Sequence, residues 1–309
     1  MSVFAVQPWS TDWARRIRVL AGQLTGAVLQ SAAGTADASE AAVVPVTFGN
    51  GAIFWLLAGP ADRLGRGGDS TGAHPWWCGL LLAAWLSHQS SSLLRGRFVL
   101  ELGCGAAPLP TLIAAQQGAA KSVATDGCPS VVQAAEAVLA RNSAAGVCLT
   151  RCLSWEAPLL REDLGAWDTL LFADAVYVDG AAEKLAATLD ALLTTRRCGE
   201  ILGAVCLPRV GSAELFAAMQ RRGFRAEDVE LSEEVRTSAS AAAKVLSAAN
   251  VVDLVGLPAA KLVRWIRRGS RATSETERDD GEVLKKEAAD ALWLLENAVS
   301  MTRGWEPEE

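Results

Sequence analysis

The sequence predicts an α/β fold with a mostly parallel sheet covered by helices on both faces. Three observations carry that expectation. Apolar runs of strand length recur from Phe98 onward. Helical spacing follows nearly all of them. Glycines, carboxylates or aromatic residues stand just past four consecutive runs, at the edge where open parallel sheets bind ligands.

Taken in order, Trp9–Gln30 places Ile17, Leu20, Leu24 and Val28 at helical spacing, with Arg15, Arg16 and Arg18 among them. An amphipathic capping helix is expected there, an organelle transit segment being the alternative. Ser31–Ala42 reads as a linker. Ala42–Leu57 flanks Phe48-Gly49-Asn50-Gly51, a hairpin signal. A glycine-rich loop runs from Gly59 to Gly72, and Pro75 opens an apolar helix over Trp76–His88.

The regular part then begins. Strands are expected at Phe98–Leu102, Ser122–Thr125, Val147–Leu153, Thr169–Ala173 and Ile201–Leu207. Helices are expected up to Gln117 and over Val131–Arg141, Ala181–Leu193 and Ala213–Arg222. Phe224–Leu231 reads as a closing strand or strand pair. Beyond Glu234 the alternation stops: Ala241–Arg268 begins alanine-rich and reads as helical, Gly269–Gly281 as a polar linker, and Val283–Val299 as an amphipathic helix. The expected organisation is an N-terminal extension over residues 1–70, a catalytic-type α/β domain over 71–235 and a helical extension over 236–309.

Composition excludes several classes. A net charge of −6 argues against a general grip on nucleic acid and suits a basic protein partner weakly. The most apolar run, Trp76–Leu86, is far short of the ~20 residues that span a bilayer, so no membrane span is expected. Seven cysteines without paired spacing and two histidines read as reduced thiols with no zinc site. With no secretory signal visible, a cytoplasmic monomer is expected, a mitochondrial or plastid location being the alternative.

The strand ends carry the chemistry. Glu101-Leu102-Gly103-Cys104-Gly105 closes the first strand, Asp126 the second, Trp155 the third and Asp174-Ala175-Val176-Tyr177 the fourth. Gly103 and Gly105 let the backbone turn and approach a ligand without a Cβ in the way. Asp126 stands where a carboxylate accepts both hydroxyls of a ribose, or else caps the helix after Pro129. Trp155 packs beside an adenine or sits in the core. Asp174 and Tyr177 face a substrate, or respectively cap the next helix and pack. A dinucleotide site wants a third glycine at position 108, where this chain has Pro108 after Ala106 and Ala107. Glu101 is ill-suited to a pyrophosphate and suits a ligand bearing a sulfonium and an ammonium. No hydride-transfer residue stands out downstream. The balance favours a methyl-donor site over a dinucleotide site.

These residues resemble the seven-strand protein-lysine methyltransferases over roughly Gly72–Val229. Trp76 with its helix and Val99-Leu100-Glu101-Leu102-Gly103-Cys104-Gly105 are similar to the family's Trp-helix and E-L-G-x-G elements. Ala124-Thr125-Asp126 and Leu153-Ser154-Trp155 carry the second likeness. Trp167-Asp168-Thr169-Leu170-Leu171-Phe172-Ala173-Asp174-Ala175-Val176-Tyr177 resembles F-D-x-I-L-x-A-D-x-x-Y, and Arg209, Leu215-Phe216 and Gly223-Phe224 continue it. The resemblance implies a Rossmann-like seven-stranded sheet and S-adenosyl-L-methionine as cofactor. It implies that Trp76, Gly103, Cys104, Gly105, Asp126, Trp155 and Ala173 line the cofactor pocket, joined by Glu101 on the charge argument above. It implies Asp174 and Tyr177 as the catalytic pair beside the accepting amine of a protein lysine. A small-molecule N-methyltransferase and a non-catalytic interaction module are the alternatives. The sequence departs from the family at Ala107, where a third glycine is usual, and at Pro108 and Pro110.

Overall fold

The computed structural model describes residues 42–49, 51–58, 72, 74–142, 147–160, 167–193, 199–207, 209, 211–249 and 259–267. The expected helices at Trp9–Gln30 and Val283–Val299, the linker of 269–281, and nearly all of the linker of 31–42 and the loop of 59–72 lie outside the described residues.

The hairpin is present. β1 (Ala42–Thr47) pairs antiparallel with β2 (Ile53–Ala58), with Thr47 opposite Ile53. The Phe48 amide donates to the Ala52 carbonyl and the Gly51 amide to the Phe48 carbonyl, closing the turn. Its inward residues Val44, Val46, Phe54 and Leu56 are buried, which is the period-2 pattern of a ribbon with one covered face. α1 (Trp77–His88) follows, with ten of its twelve residues buried. A helix apolar all round belongs inside a molecule.

The main sheet contains β3 (Phe98–Leu102), β4 (Lys121–Asp126), β5 (Cys148–Cys152), β6 (Thr169–Ala173), β7 (Glu200–Cys206), β8 (Phe224–Val229) and β9 (Ala260–Arg267). Their spatial order is β5-β4-β3-β6-β7-β9-β8. The first five are parallel, while β9 runs antiparallel to both neighbours. This is the Rossmann-like, mostly parallel seven-stranded sheet expected. The crossovers are α2 (Leu109–Gln116), α3 (Pro129–Arg141), α4 (Ala181–Leu193) and α5 (Ser212–Arg221), with α6 (Glu233–Ala248) after β8.

Alternate strand residues feed two cores. Leu171, Leu202 and Leu262 pack with α1, α2, α6 and the hairpin on one face. Leu170, Phe172, Ile201 and Trp265 pack with α4 and α5 on the other. Period-2 alternation between two apolar layers explains why these strands read as continuous apolar runs. Gly203 in β7 has a packing reason: a Cβ there would lie 2.3 Å from the Phe172 ring and 2.7 Å from the Trp265 ring.

One expectation is corrected. Ala241–Arg268 was expected to be helical and residues 236–309 to stand outside the α/β domain. Helix α6 does continue to Ala248, but Ala260–Arg267 is strand β9, hydrogen-bonded between β7 and β8. The sheet therefore draws on residues well past 235. Leu262, Val263 and Trp265 are buried there, while Arg264 and Arg267 pair with Glu200 and Asp190.

Candidate active site

From central β3 the chain moves first to β4 and β5 on one side, then to β6 and β7 on the other. The loops leaving β3 and β6 part at that switch point and leave a crevice beyond the carboxyl ends. A cavity of about 340 Å³ opens there, and all ten residues singled out above line it.

The glycine turn is built as its sequence requires. Gly103 and Gly105 have φ of 66° and 61°, the left-handed region where a Cβ is strained. A Cβ on Gly103 would lie 3.3 Å from the Ala175 Cβ and 3.4 Å from the Trp155 ring. One on Gly105 would come within 3.1 Å of the Gly72 carbonyl oxygen. Pro108, where the dinucleotide pattern has glycine, precedes the first turn of α2 with φ −75°.

Asp126 ties that turn to β4. Its Oδ2 accepts from the Gly105 amide at 3.1 Å and its Oδ1 from the Cys128 amide at 3.0 Å. The capping and ligand-facing readings are thus compatible, since each carboxylate oxygen retains a second lone pair. Burial pushes its carboxyl above the ordinary range, opposed by those backbone bonds. Glu101 is 2 % exposed, and its Oε2 accepts from the Thr111 amide (3.0 Å) and hydroxyl (2.6 Å) at the start of α2. Burial outweighs these bonds and lifts the Glu101 carboxyl to about 7.

Trp77 is core, whereas Trp76 and Trp155 are half-buried on the crevice wall. Cys104 is buried and burial pushes its thiol well up, so it is a neutral wall rather than a nucleophile. Asp174 is 9 % exposed and carries φ +50°, the one non-glycine residue in that region among those described. Aspartate tolerates this conformation, at a strain of about 1 kcal/mol. Burial raises its carboxyl above the usual range and the Arg209 guanidinium opposes the rise. Tyr177 is 37 % exposed at the cavity wall.

The sequence reading missed what Arg209 does. Its Nη2 lies 3.1 Å from Asp174 Oδ2, and its Cζ stands 5.2 Å from the Trp76 ring centroid. The signal was available, because Arg209 follows β7 as the other site residues follow their strands. Glu156 and Lys184, also on the wall, form an exposed ion pair at 2.5 Å. Among the described residues no group of His, Cys, Asp and Glu is arranged to hold a metal ion. Nor, among them, is any helix long and apolar enough to cross a membrane.

A glycine cradle that any Cβ would fill, a carboxylate at the end of β4, a half-buried indole and a buried acid suit an adenosyl ligand carrying positive charge. The fold and this crevice define a class I, S-adenosylmethionine-dependent methyltransferase. A family model described as lysine methyltransferase matches residues 64–222, just over half of the chain. The chain belongs to that lysine methyltransferase family.

It is 28% identical over 137 residues to the calmodulin-lysine N-methyltransferase of Arabidopsis thaliana, covering 43% of this chain and 45% of that protein. The chain thus spans a little under half the length of that relative. Among solved structures, the T. thermophilus 16S rRNA N2 G1207 methyltransferase with AdoMet and guanosine aligns at TM-score 0.48 and 18% identity, over 73% of this chain and 50% of that one. The magnesium protoporphyrin IX methyltransferase of Synechocystis PCC 6803 with bound SAH aligns at TM-score 0.39 and 14% identity, over 67% and 91%.

Proposed function

We propose that the protein transfers a methyl group from S-adenosylmethionine to the ε-amine of a lysine on another protein. The carrying observation is the juxtaposition, in one crevice, of the Gly103–Gly105 cradle with the buried carboxylate of Asp174. Membership of the lysine methyltransferase family and the likeness to a calmodulin-lysine N-methyltransferase support the acceptor.

In this reading Gly103, Cys104, Gly105 and Ala173 form the floor, Asp126 takes the ribose hydroxyls, and Trp76 and Trp155 flank the ligand. Glu101 faces its positive charge. When bound, the cofactor supplies an already activated methyl group. The chain's task is alignment at ~3–3.5 Å and exclusion of water. A lysine amine must first lose a proton from a pKa of ~10.4, and a desolvated slot favours that loss. Asp174 orients the entering ammonium, and Tyr177 shapes the slot.

The test is incubation of the full chain with methyl-labelled cofactor and a cell lysate, followed by mass spectrometry of the labelled product. A protein band labelled on lysine is expected. Label confined to small molecules would move the acceptor to a metabolite, and no label would remove the catalytic reading. Asp174→Ala should abolish transfer while S-adenosylhomocysteine binding persists; equal loss of both would place Asp174 in the cofactor site or the fold.

A further inference from the structure

Asp174 already has a cation. Arg209 reaches it from the loop after β7 with Nη2 3.1 Å from Oδ2, and the Asp174 side chain is only 5 % exposed. A carboxylate so buried is costly unless paired, and removing one partner leaves an uncompensated charge. Any acceptor that uses Asp174 must therefore either share it with Arg209 or take Arg209's place.

The Trp76 ring decides between these. The Arg209 Cζ is 5.2 Å from its centroid, within the reach at which an aromatic face stabilises a cation. A guanidinium that lets go of Asp174 still has that face, and its side chain is one-quarter exposed, so water also reaches it. Among the described residues Arg209 is the cation paired with Asp174, so its departure calls for a replacement cation.

We infer that Arg209 is the specificity gate of the acceptor slot: its guanidinium holds the seat on Asp174 until an alkylammonium displaces it, leaving it held by the Trp76 face alone. The inference rests on the acceptor amine entering beside Asp174, as proposed above. It explains selection of charge: a hydroxyl or amide acceptor offers Asp174 no replacement cation and leaves the gate shut. Arg209 is thus a positioning residue that acts through Asp174.

The probe is n-butylammonium, which reproduces the end of a lysine side chain. Its dissociation constant is read by ligand-observed NMR on the full chain saturated with S-adenosylhomocysteine, at one mildly alkaline pH. Arg209→Met keeps an apolar stem on Trp76 and removes the competitor, so butylammonium should bind roughly tenfold more tightly. Arg209→Lys keeps a competing cation and should fall between Arg209→Met and the wild type. Asp174→Asn should bind the probe weakly whatever stands at 209, and neutral n-pentanol should not gain from Arg209→Met. Unchanged or weaker butylammonium binding in Arg209→Met overturns the gate, as does an equal gain for pentanol. The acceptor reading fails separately: a gate that behaves as stated in a protein that labels no lysine would leave Arg209's role standing and refute the substrate.

Discussion

Glu101 is the residue whose chemistry is most sharply set by its place. Its carboxyl titrates at about 7 in the fold against 4.5 when free, because burial outweighs two bonds from Thr111. A group with a raised folded pKa contributes stability that is fully present below its unfolded value and is lost as pH rises through the folded one. The ligand-free protein should therefore lose stability between about pH 4.5 and about 7 on this account. Glu101→Gln, which keeps an acceptor for Thr111, should flatten that fall in Tm. A positively charged ligand at Glu101 favours its ionised form, so S-adenosylmethionine affinity should rise with pH through about 7 in the wild type and far less in Glu101→Gln. A Tm profile and an affinity profile that Glu101→Gln leaves unchanged would show that another group governs both.

Strand β9 is the telling case among the elements. Its Trp265 is 1 % exposed, packed 5.3 Å from the Phe172 ring and 5.6 Å from the Phe216 ring. Trp265→Ala should cost about 3–5 kcal/mol, read as a lowered denaturant midpoint; a loss below about 1 kcal/mol would mean that β9 is peripheral to the core. Strands β3, β4, β6 and β7 were legible because each buries its central residues on both faces and is bounded by turns, whereas edge strand β5 is buried only at Cys148. β9 was not, because Lys261, Arg264 and Arg267 break the run and an alanine-rich helix precedes it. Their partners Asp228 in β8, Glu200 in β7 and Asp190 on α4 lie far away in sequence, so charges that look solvent-facing in the sequence are tied to neighbouring strands and a helix. The hairpin's turn was legible from Asn-Gly chemistry. Its docking was not: the Asn142 side chain accepts from the Trp55 amide at 2.8 Å and donates to the Trp55 carbonyl at 2.9 Å, which no local pattern announces.

At the scale of the molecule, the crevice assembles residues from 72 to 209, most of which share nothing in sequence except their positions near strand ends or helix starts. That rule picked out Glu101, Gly103, Cys104, Gly105, Asp126, Trp155, Asp174 and Tyr177, and the family resemblance added Trp76 and Ala173. Neither could give their pairings, because which carboxylate meets which cation depends on the order β4-β3-β6-β7 in space. Arg209 stood by the rule yet acquired a role only when β7 was seen beside β6. The strand order also explains why the glycine turn and Asp174 face one ligand: β3 and β6 are hydrogen-bonded neighbours, and their loops leave on either side of the switch point.

The central claim is that this crevice holds an adenosyl cofactor, and calorimetric titration of S-adenosylhomocysteine into the full chain tests it directly. Saturable binding at one site is expected, weakened roughly tenfold or more by Trp155→Ala, whose half-buried indole stands against Gly103. No binding to the wild type, or binding that Trp155→Ala leaves unchanged, would contradict it.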